Sequence, residues 1–381
     1  MATELITTDQ ALRGLCEHLA AQPVIAIDTE FHRERTFFAQ LALVQVATDE
    51  RVACIDPLSD IDPAPFDAIL LDENITKVMH AGRQDLEIFF DRLQALPAPL
   101  FDTQVAASLV GRGDQLAYGV LVQKIVGVTL KKLHARTDWM RRPLDEAVLE
   151  YAALDVEHLL AVYRSLKGDL ERLGRTAWLD EEQAPLLDPA TYVLSEEDAW
   201  TRVKGTGKLK GIECAVAQKL AGWREAKARA IDRPRRRVLS DDAIVDLARQ
   251  RPKDSRQLDR MRSVDRDVKN KHGKALLAVI ADAAALPKDA WPAARGGARK
   301  DPVDGALVDA LAAVLAVRGR EAQVSPQVIG TRADLTRVAQ GEDDVPVLHG
   351  WRGELVGDAL RAFLSGELRL AVSGGSLVID G

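Results

Sequence analysis

Five residues stand out by type and spacing. Asp28 and Glu30 sit two apart at the end of the apolar run Val24-Ile25-Ala26-Ile27. Alternate residues of a strand face the same side, so both carboxylates project together. Crowded carboxylates are costly unless cations offset them. A lone Asp-X-Glu is also ordinary turn chemistry and decides nothing by itself. Asp85 follows His80-Ala81-Gly82-Arg83-Gln84 at the entry to a helix, where an aspartate also simply faces the positive helix end. Tyr151 and Asp155 are spaced i,i+4 and share one helix face. That face otherwise carries Val148, Ala152, Leu159 and Val162, and an unpaired charge on a core-facing stripe is expensive. A metal ion at a cleft would resolve the conflict, and so would a buried hydrogen bond. Hard carboxylate oxygens suit Mg²⁺ or Mn²⁺ better than soft metals.

The elements that must hold these residues read as α/β over the first 170 positions. Strands are expected at 24–29, 41–47 and 52–55, forming a meander, with a fourth at 77–79. Helices are expected at 63–71, 83–92 and within 103–127. Residues 144–166 are periodic at helical spacing, and the helix continues over 165–182 after a break near Gly168. Pro185 and Pro189 mark an irregular connector. From 202 the texture is all-helical. Leu209, Ile212, Val216, Leu220 and Trp223 form one stripe, and Ser240 can cap the next helix. The stretch 284–302, rich in Ala, Pro and Gly, reads as a linker. Helical texture returns over 303–366, and Gly374-Gly375 suits a hairpin in the tail.

A length of 381 residues points to two or three domains, and 47% hydrophobic with 29% charged residues to a folded globular chain. No apolar run approaches the roughly 20 residues of a membrane span, and no signal peptide is evident. Cys16, Cys54 and Cys214 are too scattered for a disulfide framework or a CxxC pair, which suits a reducing cytoplasm. The net charge of -7 hides a segregation. Residues 201–281 carry 22 Lys and Arg against 10 Asp and Glu, so the rest of the chain sums to -19. A basic block beside an acidic one suggests a nucleic-acid-binding module next to a carboxylate-rich catalytic one, although basic helices are often merely solvated. No glycine pattern supports a nucleotide cofactor, and no coiled-coil repeat demands a partner, so a monomer is expected.

The five residues with their neighbours resemble the tyrosine-bearing branch of the DEDD exonucleases, and within it the ribonuclease D family. The resemblance rests on Ala26-Ile27-Asp28-Thr29-Glu30-Phe31, His80-Ala81-Gly82-Arg83-Gln84-Asp85-Leu86 and Glu150-Tyr151-Ala152-Ala153-Leu154-Asp155-Val156. Supporting stretches are Gln40-Leu41-Ala42-Leu43-Val44-Gln45, Phe101-Asp102-Thr103-Gln104 and Arg136-Thr137-Asp138-Trp139. The helical segments resemble HRDC domains, the first through Leu220-Ala221-Gly222-Trp223-Arg224 and Asp232-Arg233-Pro234. The second does so through Trp351-Arg352-Gly353-Glu354-Leu355 and departs more from the common pattern.

The resemblance implies a ribonuclease H-like mixed-sheet exonuclease domain at 1–170 and a helical connector at 171–201. HRDC-like domains at 202–283 and 303–366 would flank the linker 284–302, with a tail at 367–381. It implies two divalent metal ions held by Asp28, Glu30, Asp85 and Asp155, with Tyr151 positioning the attacking water. The expected activity is removal of 5′-monophosphates from free RNA 3′ ends, transfer-RNA precursors among them. Phe37, Gln40, His80 and Arg136 are candidate substrate contacts, each with a structural role equally open. Arg235, Arg236 and Arg237 are candidates for the RNA backbone. A DNA 3′→5′ exonuclease and a non-catalytic nucleic-acid-binding protein are the alternatives.

Overall fold

A computed structural model of the chain describes residues 3–130, 137–293 and 303–380. It divides into two compact units. One comprises Met1–Glu30, Leu41–Pro189 and Pro302–Gly381; the other comprises Phe31–Gln40 and Ala190–Asp301.

The first unit opens with β1 (Thr3–Ile6) and the amphipathic α1 (Asp9–Ala20), capped by Thr8 and buried through Leu12, Leu15, Cys16 and Leu19. β2 (Val24–His32), β3 (Gln40–Ala47) and β4 (Val52–Ile55) follow, then α2 (Ala64–Leu71), β5 (Thr76–Met79), α3 (Arg83–Leu93) and β6 (Leu100–Asp102). Six strands make one mixed sheet in the order β1-β4-β3-β2-β5-β6. β1 runs parallel to β4, and β5 parallel to both β2 and β6, while β3 and β4 are antiparallel. The expected strands are present. β1 and β6 had left no legible signal, because both are edge strands of only three or four residues.

After β6 come α4 (Thr103–Leu109), α5 (Tyr118–Ile125), α6 (Glu146–Glu157), α7 (Leu159–Leu173) and α8 (Thr176–Gln183). The expected break near Gly168 is absent: that glycine stays inside α7. A helical glycine costs only about 1 kcal/mol relative to alanine, which α7 offsets by burying Leu159, Leu160, Val162, Leu166 and Leu170. The interruption falls instead at His158, and α7 stops at Gly174, whose φ of +67° is a left-handed cap.

The second unit contains α9 (Ile212–Ala230), α10 (Arg235–Val238), α11 (Asp241–Gln250), α12 (Ser255–Asp259) and α13 (Arg266–Ala284). Leu220, Ile244, Leu247, Leu276 and Ile280 form its core. Ser240 caps α11 by accepting from the Ala243 amide at 3.2 Å. The buried Arg224 guanidinium donates to Asp241 at 2.7 Å and to the Leu239 carbonyl at 3.1 Å. It thereby joins α9 to the start of α11.

The C-terminal part of the first unit holds α14 (Gly305–Ala322), α15 (Pro326–Ile329), α16 (Arg332–Ala339) and α17 (Gly350–Arg352). α17 continues through a widened turn at Gly353–Gly357 into α18 (Asp358–Ser365). β7 (Arg369–Ser373) and β8 (Ser376–Asp380) form the expected hairpin, with Gly374 and Gly375 both at positive φ. One apolar core runs from Ala26, Val78 and Phe101 through Leu160 and Leu166 to Leu311, Val314, Leu348 and Trp351. Trp178 stacks on Trp351 with centroids 4.6 Å apart, and Glu182 accepts from the Trp351 indole at 2.8 Å and also pairs with Arg352.

Candidate active site

β2 carries Asp28 and Glu30 on one face, and α6 brings Asp155 to them. Carboxylate oxygens of these three residues lie within 4.8 Å of one another. Thr29, between the two acids, alternates to the other face, and its hydroxyl donates to the Asp85 carboxylate in the first turn of α3. Asp85 therefore joins the group through a residue of the same strand. Tyr151, one turn before Asp155, is half-buried and within the field of Asp155, Glu30 and Asp28.

Electrostatically the group is unsatisfied. Burial first, then the charges of Asp85, Asp155 and Glu30, push the Asp28 carboxyl well above the ordinary range. Burial, then Asp155 and Asp85, raises Glu30 to about 8. Burial raises Asp155 to about 6, and raises Asp85 to about 6 against the lowering hydrogen bond from Thr29. Among the described residues no Lys or Arg is a cause for any of the four, and protons or added cations would offset their charge. An all-oxygen donor set of this charge fits hard divalent cations, and offers nothing to soft metals. The Tyr151 hydroxyl is raised by burial and then by Asp155, Glu30 and Asp28, so it stays a phenol at neutral pH.

Residues to which sequence reasoning gave no role hold these elements in place. Asp102, at the end of β6, accepts from the amides of Ala81 at 3.1 Å and Gly82 at 2.9 Å, fixing the turn that starts α3. The same side chain caps α4 through Gln104 at 2.8 Å and Val105 at 3.3 Å. An Asp-Thr pair ahead of a helix is a cap signal, which could have found it. Lys77 is buried in β5, and its ammonium donates to the carbonyls of Asp72, Ile75 and Ala98 at 2.6 to 2.8 Å. Arg142, just before α6, makes a two-pronged pair with Asp56 at 2.6 and 2.7 Å and donates to the Ala42 carbonyl at 2.6 Å. It ties the approach to α6 onto β3 and the end of β4. Nothing in the spacing of Asp56 and Arg142 announces that contact.

The other expected site residues are placed as follows. Both His80 ring nitrogens are engaged, with the Thr103 hydroxyl at 2.9 Å and the Leu116 carbonyl at 3.0 Å. Phe37 and Gln40 fall in the second unit, whereas the four acids fall in the first. Phe37 is buried against Ala228 and Val238, with Arg235 over its ring at 4.4 Å. Arg136 lies outside the described residues. Arg235 pairs with Glu225, and Arg236 reaches Asp241 at 3.2 Å, while Arg237 is exposed.

Residues 3–171 match the 3′-5′ exonuclease family, and residues 213–280 match the HRDC domain. A ribonuclease D of Granulibacter bethesdensis is 40% identical over 97% of this chain and 94% of its own length. The chain belongs to the ribonuclease D family. A second member, from Jannaschia sp., is 42% identical over 97% of both chains. The crystal structure of Escherichia coli RNase D, described as an exoribonuclease involved in structured RNA processing, superposes with a TM-score of 0.83. It is 36% identical and is matched over 96% of this chain and 99% of its own. The ribonuclease D family thus accounts for the mixed α/β exonuclease part and the helical HRDC part together. No helix among the described residues is long and apolar enough to cross a membrane.

Proposed function

We propose that this chain is a 3′→5′ exoribonuclease that shortens free 3′ ends of structured RNA, transfer-RNA precursors among them. The observation that carries the reading is the convergence of Asp28, Glu30 and Asp155 within 4.8 Å, with Asp85 bonded through Thr29, inside a ribonuclease D family fold.

Asp28, Glu30, Asp85 and Asp155 would hold two divalent ions, Mg²⁺ or Mn²⁺. Such ions, when bound, stabilise charge on the attacking and leaving oxygens of a phosphodiester. The protein's own contribution is positional. β2 and α6 set three carboxylates in one group, and the Thr29 hydroxyl orients the fourth. Tyr151, held as a phenol, donates a hydrogen bond and orients the water; it is not the base. In the reaction water adds to phosphorus and the bond to the 3′ oxygen of the penultimate nucleotide breaks. A nucleoside 5′-monophosphate leaves, and the shortened RNA keeps a 3′ hydroxyl.

The arrangement proposed with it is an exonuclease domain at 1–170, a connector at 171–201 and HRDC-like domains at 202–283 and 303–366. The exposed basic residues of the first helical module, Arg236 and Arg237 among them, favour contact with the RNA backbone. The protein acts as a cytoplasmic monomer, a placement that the three buried, unbonded cysteines favour. Asp155→Asn tests the catalytic reading. In a metal-dependent digestion of a hairpin RNA with a 3′ extension, matched to a DNA of the same sequence, hydrolysis by the variant should fall at least a thousandfold while RNA binding persists. Wild-type turnover in the variant would remove Asp155 from the site.

A further inference from the structure

The second unit contains a feature that no HRDC match covers. Phe31–Gln40, which runs from the last two residues of β2 to the first of β3, is built into the helical module. Asp232 sits at φ +45°, where its carboxylate accepts from two successive amides, Phe37 at 2.9 Å and Phe38 at 3.1 Å. The Phe37 ring is buried on Ala228 and Val238, with the Phe38 ring edge-on at 5.0 Å. Arg235 lies over Phe37, and Arg229 lies 5.3 Å and 5.6 Å from the two ring centres. The segment is therefore pinned at one point by a carboxylate clamp and an aromatic–guanidinium stack.

This pinning presents Glu34 and Arg35 to a cavity of about 750 Å³ whose other walls come from the helical module. Its basic lining is Arg35, Arg233, Arg236, Arg237 and Lys271, against the acids Glu34, Asp265 and Asp267. Asp265 is occupied in capping α13, and Arg236 in its contact with Asp241. Arg35, Arg233, Arg237 and Lys271 are exposed, and none makes a salt bridge among the described residues. Four cations around one open groove keep a standing attraction for a polyanion.

We propose that this groove binds the RNA backbone as a composite site. Arg35 is one of its phosphate ligands, and Asp232 is the positioning residue that holds Arg35 there. The proposal rests on the exoribonuclease reading and extends it: the chain that follows β2 also forms a wall of the RNA-binding groove. His272, which lines the same groove, is held below its ordinary pKa by burial and then by Lys227 and Lys271, as expected in a positive field.

The test measures binding of a hairpin RNA with a single-stranded 3′ extension across a salt series, with the full chain in the Asp155→Asn background. Each phosphate contact on a single strand contributes about 0.7 to the slope of log affinity against log salt. Arg35→Gln should therefore lower the slope by about 0.7 and weaken binding roughly three- to tenfold at low salt. Asp232→Ala should cost about the same, and the double variant no more than either alone, because both remove one contact. Asp232→Asn keeps an accepting oxygen and tolerates a left-handed backbone, so it should restore the wild-type slope. Unchanged affinity and slope in Arg35→Gln would overturn the proposal. So would additive losses in the double variant. If Asp232→Ala does not fold by circular dichroism, the exposed Arg35→Gln decides alone. Hydrolysis of the same RNA by the wild type is scored separately, so the exoribonuclease reading stands or falls on its own result.

Discussion

At the scale of single residues, the four acids carry a pH signature that can be checked without any RNA. In the metal-free protein Glu30 rises from 4.5 to about 8, and Asp85 and Asp155 from 3.8 to about 6. All three values are raised, so between pH 4 and 8 these carboxyls hold more protons in the folded protein than in the unfolded chain. Their contribution to stability is then lost as pH rises through that window. Divalent cations replace the protons and bind only the folded state, so they should restore what was lost. The expected result is a melting temperature that declines from pH 5 to pH 8 in EDTA and recovers on adding Mg²⁺ or Mn²⁺ at pH 8. Asp28→Asn should flatten the decline. A metal-free melting temperature that stayed level or rose over this range would contradict the electrostatic account of the site.

At the scale of elements, much of what places the acids was readable and some was not. The apolar run ending in Asp28 announced β2, and the periodic stripe through Tyr151 and Asp155 announced α6. Local pattern could not place Asp85 beside the others, because its link is the hydroxyl of Thr29, 56 residues earlier. The same holds for the contacts of Asp102 with Ala81 and Gly82, for Arg142 and for the Asp232 clamp, whose partners are distant in sequence and share no period. A further element-scale constraint lies at α17. Gly350 has φ +53°, and a Cβ there would overlap the Glu181 carboxylate, which accepts from the Trp351 amide at 3.1 Å. Gly350→Ala combines a left-handed backbone with that overlap, and should destabilise the protein by roughly 1–3 kcal/mol. Urea unfolding would read this as a lower midpoint at unchanged slope. A wild-type midpoint would mean that the turn tolerates a side chain.

At the scale of the whole chain, linear order and packing part company. Residues 303–380 lie far along the sequence from the exonuclease strands, yet they share one apolar core with them. The join is specific as well as apolar. Arg175 donates to the Leu109 carbonyl at 2.7 Å and to the Ala322 carbonyl at 2.6 Å, so a single side chain bridges α4 and the end of α14. The Trp178–Trp351 stack and the Glu182 contacts close the same seam from α8. Gly111 approaches Gln323 so closely that a Cβ would meet its carbonyl oxygen, another sign of tight apposition. A module that merely trailed on a linker would need none of these contacts. Ending the chain at Asp301 should therefore unsettle the exonuclease part itself, since the apolar seam would be exposed and the buried Arg175 would lose its Ala322 acceptor. The shortened protein should melt at a lower temperature than the full chain, and amides of α7 and α8 should exchange faster. It should also lose hydrolysis of RNA even though Asp28, Glu30, Asp85, Tyr151 and Asp155 all remain. If α7 and α8 instead kept their full-length protection, the C-terminal helices would be an appendage and the shared core would have no energetic weight.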